Sequence, residues 1–457
     1  MKNSTKTDAW SPEKILASDR RHVWHPFTHT ATADDPLVIE SAAGAVLHTA
    51  DGREILDCIS SWWVNLFGHA HPVVAKAVAD QAAKLEHVLF AGFTHQPAVQ
   101  LSKSLTSLLP HDLNRVFFSD NGSTSVEVAI KIAAQYWQNV GQTGRHRIIA
   151  FDGGYHGDTV GAMSAGVGSG FFDTWKRWLI QTDLIPFPET WQDDDQVEEK
   201  ENLALATLDQ FLDQHANEVV AMIVEPLVQG ASGMRMCRPQ FLKQVLQRLQ
   251  KHEILMIFDE VMTGFGRTGH EFVCRHQDLS ATPPDLVCLS KGLTAGFLPM
   301  GVTVASDRIY ESFQGDSPQA MFCHGHSYTA NPLGCAAALA SLDLLQMPET
   351  KDNWKRIEES HRAGLESVAT IPNAIRPRCM GTIAAINVAS ADAGYHSNVS
   401  KQLKSWFREE NELINGVLIR PLGNVVYLMP PYCMTNEQLT TAWQAVATAI
   451  QQLSENQ

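Results

Sequence analysis

The sequence lacks any long hydrophobic run and carries little positive charge. No stretch of its 457 residues approaches the roughly 18 consecutive apolar residues of a membrane-spanning helix. Lysine and arginine number 35 against 50 aspartates and glutamates, which gives a formal net charge of −15 at pH 7. Because nucleic-acid binding needs a basic surface, we expect no nucleic-acid partner. Because no apolar run is long enough to span a bilayer, we expect no membrane protein. A small anionic substrate stays possible, since net charge says little about one local site.

Cysteine is also scarce, with eight residues and no CxxC pair. Reduced, buried thiols are therefore predicted, and disulfides or a zinc site are not. Histidines cluster in strings such as GHAHP, but no cysteine or carboxylate stands near them at ligand spacing, so no metal is predicted. The N-terminal string MKNSTKTDAWSPEK has no apolar core of a secretion signal, and we expect a cytoplasmic protein.

Strand-like and helical patterns alternate along most of the chain. From RVFFSD onward, short apolar runs follow amphipathic stretches in turn, which predicts an α/β fold with a doubly wound, mostly parallel sheet. The length exceeds that of one simple core. We predict a large domain over residues 71–345 and a small α+β domain built from both chain ends, residues 1–70 and 346–457. The first 70 residues are expected to form short strands and turns.

Two apolar strands stop abruptly at charged residues. LMIFDE ends in Asp259 and Glu260, and DLVCLSKG ends in Lys291. The carboxyl edge of a parallel sheet is where ligands bind, so an acid and a lysine should meet there. A lone lysine at a strand end is usually a solvated charge. A lysine with an acid suits pyridoxal phosphate, which needs an amine to bind covalently and a carboxylate against its ring nitrogen.

Two further strings fall at strand-to-helix junctions of the predicted sheet. In SDNGSTSVEVAIK, Gly122 and Ser123 precede a helix whose free amides could hold a phosphate, although an ordinary helix cap explains them equally well. In GGYHGDT, Tyr155 could lie against a flat cofactor ring or could be a core residue. Glu225 ends another apolar strand and should face the same edge.

The string GFGRTG satisfies the GxGxxG pattern of dinucleotide-binding loops. Such a loop should open an apolar helix and precede an acid at the end of the next strand by about 20 residues. HEFVCRHQDL follows instead, and position 289 is Leu289. We therefore reject a dinucleotide site.

Five strings together resemble one enzyme family. SDNGSTSVEVAIK, YHGDT, FDEVMTGFGRTG, PDLVCLSKG and HGHSYTANPLGCAAA are similar, in order and spacing, to the class III pyridoxal-phosphate-dependent aminotransferases. The resemblance covers almost the whole chain and implies fold type I. It implies that Lys291 binds the cofactor and moves a proton, and that Asp259 keeps the pyridine nitrogen protonated. Gly122 and Ser123 would bind the phosphate, and Tyr155 would lie beside the ring and the substrate.

The resemblance also implies a homodimer. In this family the loop that carries Gly325, His326 and Ser327 comes from the neighbouring subunit. His326 and Ser327 would contact the cofactor, and Gly325 the substrate. Many members have a threonine in this loop, where Ser327 keeps the hydroxyl and His326 adds a bulky ring.

Three more strings narrow the resemblance: RHVWHPFT, ISSWWVNLFGHAHP and IRPLGNVVYLMPPY. They resemble the members that transfer an amino group from S-adenosylmethionine to 8-amino-7-oxononanoate in biotin biosynthesis. Trp62 would give an apolar wall for a long aliphatic substrate, and Arg420 a bidentate contact to its carboxylate. Phe27 stands where the family commonly has a tyrosine near the substrate amines. Met262 replaces a glutamine of many general members, which favours the biotin branch.

Three other functions stay open on the sequence alone. Lysine could be the amino donor, as in some relatives. The chain could be a general ω-amino acid:pyruvate aminotransferase. A non-catalytic binding protein of the same fold is the third, and it is disfavoured because both Lys291 and Asp259 are present.

Overall fold

The computed structural model describes residues 10–166, 172–390, 398–408 and 416–455. The strands of this part are β1 (Ile39–Ala43), β2 (Val46–Thr49), β3 (Glu54–Asp57), β4 (Leu113–Ser119), β5 (Arg147–Phe151), β6 (Thr182–Ile185), β7 (Val219–Val224), β8 (Val228–Gln229), β9 (Arg235–Met236), β10 (Leu255–Asp259), β11 (Leu286–Leu289), β12 (Gly301–Ser306), β13 (Ala374–Met380), β14 (Ile383–Val388), β15 (Val417–Leu418) and β16 (Val425–Leu428). The helices are α1 (Pro12–His22), α2 (Ser60–Trp63), α3 (Pro72–Ala82), α4 (Gln96–Leu108), α5 (Gly122–Asn139), α6 (Val160–Ala165), α7 (Val197–His215), α8 (Pro239–Lys251), α9 (Asp307–Glu311), α10 (Pro332–Leu345), α11 (Pro348–Val368), α12 (Asn398–Arg408) and α13 (Asn436–Glu455).

A seven-stranded sheet of order β4-β12-β11-β10-β7-β5-β6 is the centre of the fold. Its neighbours pair in parallel except at β12, which runs antiparallel to both β11 and β4. The mostly parallel sheet predicted from the sequence is confirmed. The strand β12 was not predicted, because an antiparallel strand inside such a sheet has the same apolar composition as its neighbours.

Both faces of this sheet are covered. In β10, Leu255 and Ile257 belong to one hydrophobic cluster, which includes α5, while Met256 and Phe258 belong to the other, which includes α8. Successive strand residues point to opposite faces, so a strand buried on both sides must be apolar throughout. The run LMIF therefore follows directly from the position of β10 between two helical layers.

Both chain ends contribute to a second, four-stranded sheet of order β1-β2-β3-β15. Its β15 is a parallel neighbour of β3, so residues 417–418 lie beside residues 54–57. This pairing agrees with the prediction of a domain built from both ends, although the division into two domains stays a prediction. The expectation that the first 70 residues form only strands and turns is wrong, since α1 begins at Pro12 behind the capping side chain of Ser11.

The eight cysteines are all unpaired, as predicted. The prediction that they are buried is wrong for Cys323 and Cys433, which are exposed on loops. Within the described ranges no helix is long and apolar enough to cross a membrane. In the same ranges no group of three or more His, Cys, Asp or Glu side chains is arranged to hold a metal ion.

Candidate active site

A cavity of about 570 Å³ opens at the carboxyl edge of the central sheet. Because β5, β7, β10 and β11 run in parallel, the segments that follow them meet at this edge. The residues that line it and bear on the chemistry are Trp63, Gly122, Ser123, Tyr155, His156, Asp158, Thr159, Glu225, Asp259 and Lys291. The sequence predicted that Gly122, Ser123, Tyr155, Asp259 and Lys291 share one site, and the fold brings these five together.

Asp259 ends β10 and is held rigidly. Its Oδ2 lies 2.7 Å from His156 Nδ1, and its Oδ1 accepts a hydrogen bond of 3.1 Å from the backbone N–H of Val261. Both side chains of the Asp259–His156 pair are almost completely buried. A buried carboxylate needs such partners, and here they fix its orientation toward the cavity.

Glu260, the next residue, points the other way. Its carboxylate accepts hydrogen bonds of 2.6 Å and 2.9 Å from the backbone N–H groups of Val273 and Cys274. Burial raises its pKa to about 7. Since neighbouring residues at a strand end face opposite sides, only one of the two acids can reach the cavity. Glu260 therefore fixes a loop, and Asp259 faces the site.

Lys291 follows β11 with a left-handed backbone, at φ +45°. That conformation is rare for a residue other than glycine and is typical of constrained functional positions. Its Nζ lies 5.0 Å from the centre of the Trp63 ring. Burial lowers the pKa of this amine, while the charges of Asp259 and Glu225 act against that shift. The amine thus borders the cavity, and its burial favours the unprotonated form.

Glu225 adds a second buried carboxyl group beside Asp259. It accepts hydrogen bonds of 2.9 Å from the backbone N–H groups of Tyr155 and Gly230. Burial raises its pKa to about 7. Its two amide contacts connect the end of β7 to the segment that carries Tyr155, so this acid shapes the cavity wall.

The amino end of α5 forms the opposite wall of the cavity. Ser123 Oγ accepts a hydrogen bond of 2.9 Å from the backbone N–H of Thr159 and lies 2.8 Å from its Oγ1. Space is tight here. A Cβ on Gly157, which has φ +118°, would lie 2.4 Å from the Cβ of Ser123, and one on Gly122 would lie 2.8 Å from Cγ1 of Val261. Glycines therefore let the two backbones close around the helix end.

This arrangement fits pyridoxal phosphate. A half-buried primary amine, a buried carboxylate and the free amides of an 18-residue helix line one cavity. These are the three groups that the aldehyde, the ring nitrogen and the phosphate of that cofactor need. Among the residues that the structure describes, no hydrogen bond or ion pair occupies the Lys291 amine.

Tyr155 lies on the cavity wall, half-buried and nearly parallel to Phe172, with ring centres 5.9 Å apart at 20°. Its hydroxyl donates a hydrogen bond of 3.0 Å to Asp158 Oδ1. Burial raises the pKa of this phenol, so it stays a donor at neutral pH. Because the residue borders the cavity, its contact with a cofactor ring stays a prediction.

Phe27, Trp62 and Arg420 form a second group, which we term the outer group. The ring centres of Phe27 and Trp62 are 5.5 Å apart, and the guanidinium carbon of Arg420 lies 5.0 Å from the Trp62 ring. These three do not line the cavity itself. The tryptophan that does is Trp63, whose indole N–H donates a hydrogen bond of 2.9 Å to the hydroxyl of Tyr427.

Gly325, His326 and Ser327 also lie outside the cavity of this single chain. The backbone oxygen of Ser327 is 2.5 Å from His87 Nε2, and the backbone N–H of His326 donates a hydrogen bond of 3.1 Å to Thr329 Oγ1. The loop is thus folded against its own chain and does not contact the amine.

Four of these ten cavity residues were not assigned from the sequence: Trp63, His156, Asp158 and Thr159. His156 and Asp158 follow β5, and the strand-end argument used for Asp259 could have found them, since β5 is also a buried parallel strand. Trp63 could not be told from Trp62. Both lie in the four-residue α2, whose backbone is not regularly helical, so neither helical nor strand periodicity says which side chain points inward.

Comparisons with known proteins agree with this site. The model of the family "Aminotransferase class-III" matches residues 29–450. The adenosylmethionine-8-amino-7-oxononanoate aminotransferase of Synechococcus elongatus is 52% identical over 432 residues, 94% of this chain and 99% of the relative. The crystal structure of the same-named enzyme from Methanocaldococcus jannaschii is 31% identical, with a TM-score of 0.89 over 96% of this chain and 99% of that one.

A third similar protein was solved with the cofactor. It is an amine transaminase from an uncultivated Pseudomonas species in its pyridoxal-phosphate-bound form, 29% identical, with a TM-score of 0.85 over 94% of this chain and 98% of that one. The predicted fold, type I of the pyridoxal-phosphate-dependent enzymes, is confirmed by these neighbours. From the matched family model and from the arrangement of Lys291 and Asp259, the chain belongs to the class-III aminotransferase family.

Proposed function

We propose that this chain transfers an amino group from S-adenosylmethionine to 8-amino-7-oxononanoate and so makes 7,8-diaminononanoate for biotin synthesis. The observation that carries the proposal is the 52% identity, over nearly the full length of both chains, to an enzyme of that name. The geometry supports it, because the Lys291 amine and the Asp259 carboxylate line the same cavity.

Pyridoxal phosphate, when bound, supplies a protonated ring that withdraws electrons from the substrate carbon bearing the nitrogen. Asp259 would keep the ring nitrogen protonated, because its buried carboxylate lines the cavity. His156 holds the carboxylate in one orientation. It also donates to one oxygen, so the negative charge stays localised at the site.

Lys291 performs two tasks in this proposal. Its amine would hold the cofactor covalently, and it would also take up and return the proton of the substrate carbon. Both tasks need an unprotonated amine near neutral pH. Burial of Lys291 lowers its pKa and so favours that form.

Gly122 and Ser123 bind the cofactor phosphate through the first amides of α5, with the helix dipole adding to the attraction. His326 and Ser327 complete this site from a second copy of the chain, and Gly325 of that copy borders the substrate. The support is that the loop of these residues lies away from its own cavity. The proposed assembly is therefore a homodimer, and its proposed place is the cytoplasm.

The outer group and Tyr155 receive the substrate. Arg420 binds the carboxylate of the keto acid, and its guanidinium is already positioned over Trp62. The aliphatic chain lies along Trp62 and Phe27, which are apolar and exposed. Tyr155 contributes a hydroxyl and a flat ring near Lys291.

The experiment is a product assay on purified protein loaded with pyridoxal phosphate. We expect 7,8-diaminononanoate to form from 8-amino-7-oxononanoate when S-adenosylmethionine is the donor. Omission of either substrate is the control. If pyruvate is aminated preferentially and 8-amino-7-oxononanoate is inert, the chain is a general ω-amino acid:pyruvate aminotransferase and the proposal is wrong.

Lysine is the alternative donor, and one observation favours testing it. Phe27 lacks the hydroxyl that relatives commonly place near the donor and acceptor amines, so the donor specificity can differ in this chain. The same assay with lysine in place of S-adenosylmethionine decides between them. A higher kcat/KM with lysine would change the donor and leave the acceptor and the site unchanged.

A further inference from the structure

The loop that carries Trp62 and Trp63 has an unusual backbone. Ser60, Ser61 and Trp63 have φ values of +54°, +59° and +67°. Side chains other than glycine rarely adopt the left-handed region, and several such residues in one loop persist only when their surroundings hold them. Contacts from outside the loop must therefore hold this backbone.

Asp57, at the end of β3, holds the first half of the loop. Its Oδ1 accepts a hydrogen bond of 3.1 Å from the backbone N–H of Ile59, and its Oδ2 accepts one of 2.6 Å from that of Ser61. Asp57 is completely buried. A buried carboxylate with two backbone donors makes the loop entry rigid.

His69 connects Asp57 to the second half of the loop. Its Nε2 lies 2.8 Å from Asp57 Oδ2, and its Nδ1 lies 2.9 Å from Asn65 Nδ2. The amide of Asn65 can only donate through this nitrogen, so His69 Nδ1 accepts and His69 Nε2–H donates to Asp57. One chain of directed hydrogen bonds, Asp57–His69–Asn65, thus spans the loop.

The far end of this chain contacts the segment of Lys291. A Cβ on Gly296 would lie 2.5 Å from Asn65 Oδ1, and one on Gly292 would lie 2.8 Å from Cδ1 of Leu66. Both glycines follow Lys291 within five positions. The loop and the lysine segment are therefore packed so closely that a shift of one must move the other.

Trp63 is where this packing reaches the amine. Its ring is buried, its N–H donates to the Tyr427 hydroxyl at 2.9 Å, and its centre lies 5.0 Å from Lys291 Nζ. The ring thereby limits the positions that the flexible lysine side chain can take. It also offers a π-face to the amine.

We propose that His69 is a positioning residue for Lys291: through Asp57 and Asn65 it fixes the loop of residues 59–65, so that Trp63 packs against the amine that binds the cofactor. The inference rests on the proposed role of Lys291. It adds a residue outside the cavity to the groups on which the covalent step depends. In the described chain His69 touches the cavity only through its neighbours in the loop.

The test is the covalent capture of pyridoxal phosphate by apoprotein. Its rate is followed by the visible absorption of the bound cofactor, and the site is confirmed by borohydride reduction and peptide mapping. His69→Phe keeps a ring but removes both hydrogen bonds, and we expect capture at Lys291 to slow by about tenfold. His69→Gln can still donate to Asp57 and accept from Asn65, so it should restore most of the rate.

A double-mutant cycle separates positioning from general loosening. Trp63→Phe alone should slow capture by a similar factor. If His69 acts through Trp63, the double variant should be slower than either single variant by no more than about twofold, because coupled residues are not additive. If the slowing factors of the two single variants multiply in the double variant, His69 and Trp63 act independently and the proposal is wrong. His71→Phe is the matched control, since the buried Nδ1 of this histidine has no hydrogen-bond partner among the described residues and lies outside the Asp57–His69–Asn65 chain.

The other outcomes are also decisive. If circular dichroism shows that His69→Phe does not fold, Asn65→Ala cuts the same chain at its other end and should give the same slowing. A wild-type rate in whichever of these variants folds would overturn the inference. If wild-type protein itself captures no cofactor at Lys291, the proposed function fails first, and the two failures are thereby distinguished.

Discussion

The cavity around Lys291 and the outer group of Phe27, Trp62 and Arg420 differ in what holds them. Asp259 is 4% exposed, fixed by hydrogen bonds at the end of a central strand, whereas Phe27 is 51% and Trp62 43% exposed on irregular backbone near the chain start. The bond-making groups are thus set by the sheet, and the groups proposed to bind substrate lie on loops. Loops tolerate change better than packed strands. Phe27, which stands where the family commonly has a tyrosine, belongs to the outer group on the loops.

The largest difference between the regions should appear on replacing Lys291. Lys291→Ala should lower kcat by about a thousandfold or more, because both covalent binding and proton transfer depend on the amine. The fold should stay intact, since the side chain points into an existing cavity and leaves no new hole in the core. Turnover and thermal unfolding measure the two effects, with Lys251→Ala on the surface of α8 as control. Turnover near the wild-type value would remove Lys291 from the mechanism.

The buried cavity region should also show a pH dependence of stability. Glu225 and Glu260 have pKa values raised by burial from 4.5 to about 7, so the folded protein keeps protons that the unfolded chain releases. The contribution of these two acids to the free energy of unfolding should therefore be largest below about pH 4.5. It should be lost as the pH rises to about 7. Each acid contributes at most about 3.5 kcal/mol, from a pKa raised by about 2.5 at about 1.4 kcal/mol per pKa unit.

Denaturant unfolding of apoprotein at several pH values measures this fall. Glu260→Gln should flatten the curve, whereas Glu359→Gln, on an exposed position of α11, should leave it unchanged. The free energy of unfolding of the wild type is compared with that of Glu260→Gln at each pH. If the wild type gains stability relative to this variant between pH 5 and pH 7, the pKa of Glu260 is not raised.

A smaller effect is expected in the outer group. Arg420→Ala should raise KM for 8-amino-7-oxononanoate by about 10- to 100-fold and change kcat less, because a charged hydrogen bond to carboxylate contributes about 1.5–3 kcal/mol. Arg420→Lys should recover part of the loss. An acceptor that lacks the terminal carboxylate is the control and should respond little. An equal loss with both acceptors would mean that Arg420 acts on the fold and not on substrate.

The smallest effect should come from Phe27→Tyr, which adds the hydroxyl common in relatives. One net hydrogen bond contributes about 1 kcal/mol, so kcat/KM for one of the two substrates should rise by about fivefold. Phe27→Leu keeps the position apolar and should show no such gain. If Phe27→Tyr leaves both substrates unaffected, the outer group does not extend to the substrate amines.

The same two regions show how far sequence reasoning reached. Asp259 and Lys291 were predicted because a buried parallel strand must be apolar until it ends, and the first charge marks the edge. This rule depends only on the sheet. It also applied to Glu225, but it could not say that Glu260 turns away from the cavity, which depends on the strand face.

The loops could not be predicted in that way. Trp62 was chosen over Trp63 from the family resemblance, and the structure places Trp63 against Lys291. The backbone is left-handed at Ser60, Ser61 and Trp63, and in this loop Asp57 accepts a hydrogen bond from Ser61 N–H and lies 2.8 Å from His69 Nε2. Such long-range hydrogen bonds leave no local pattern in the chain. Helix α1 was also missed; none of its residues is buried, so it packs no apolar stripe into the core.

Mapping the covalent bond to the cofactor tests the central claim most directly. Apoprotein would be mixed with pyridoxal phosphate, reduced with borohydride, digested and examined by mass spectrometry, with Lys291→Ala treated in parallel. We predict one dominant modified peptide, bearing the cofactor on Lys291 and absent from the variant. Modification of other lysines with Lys291 unlabelled would contradict the assignment of this cavity as the active site.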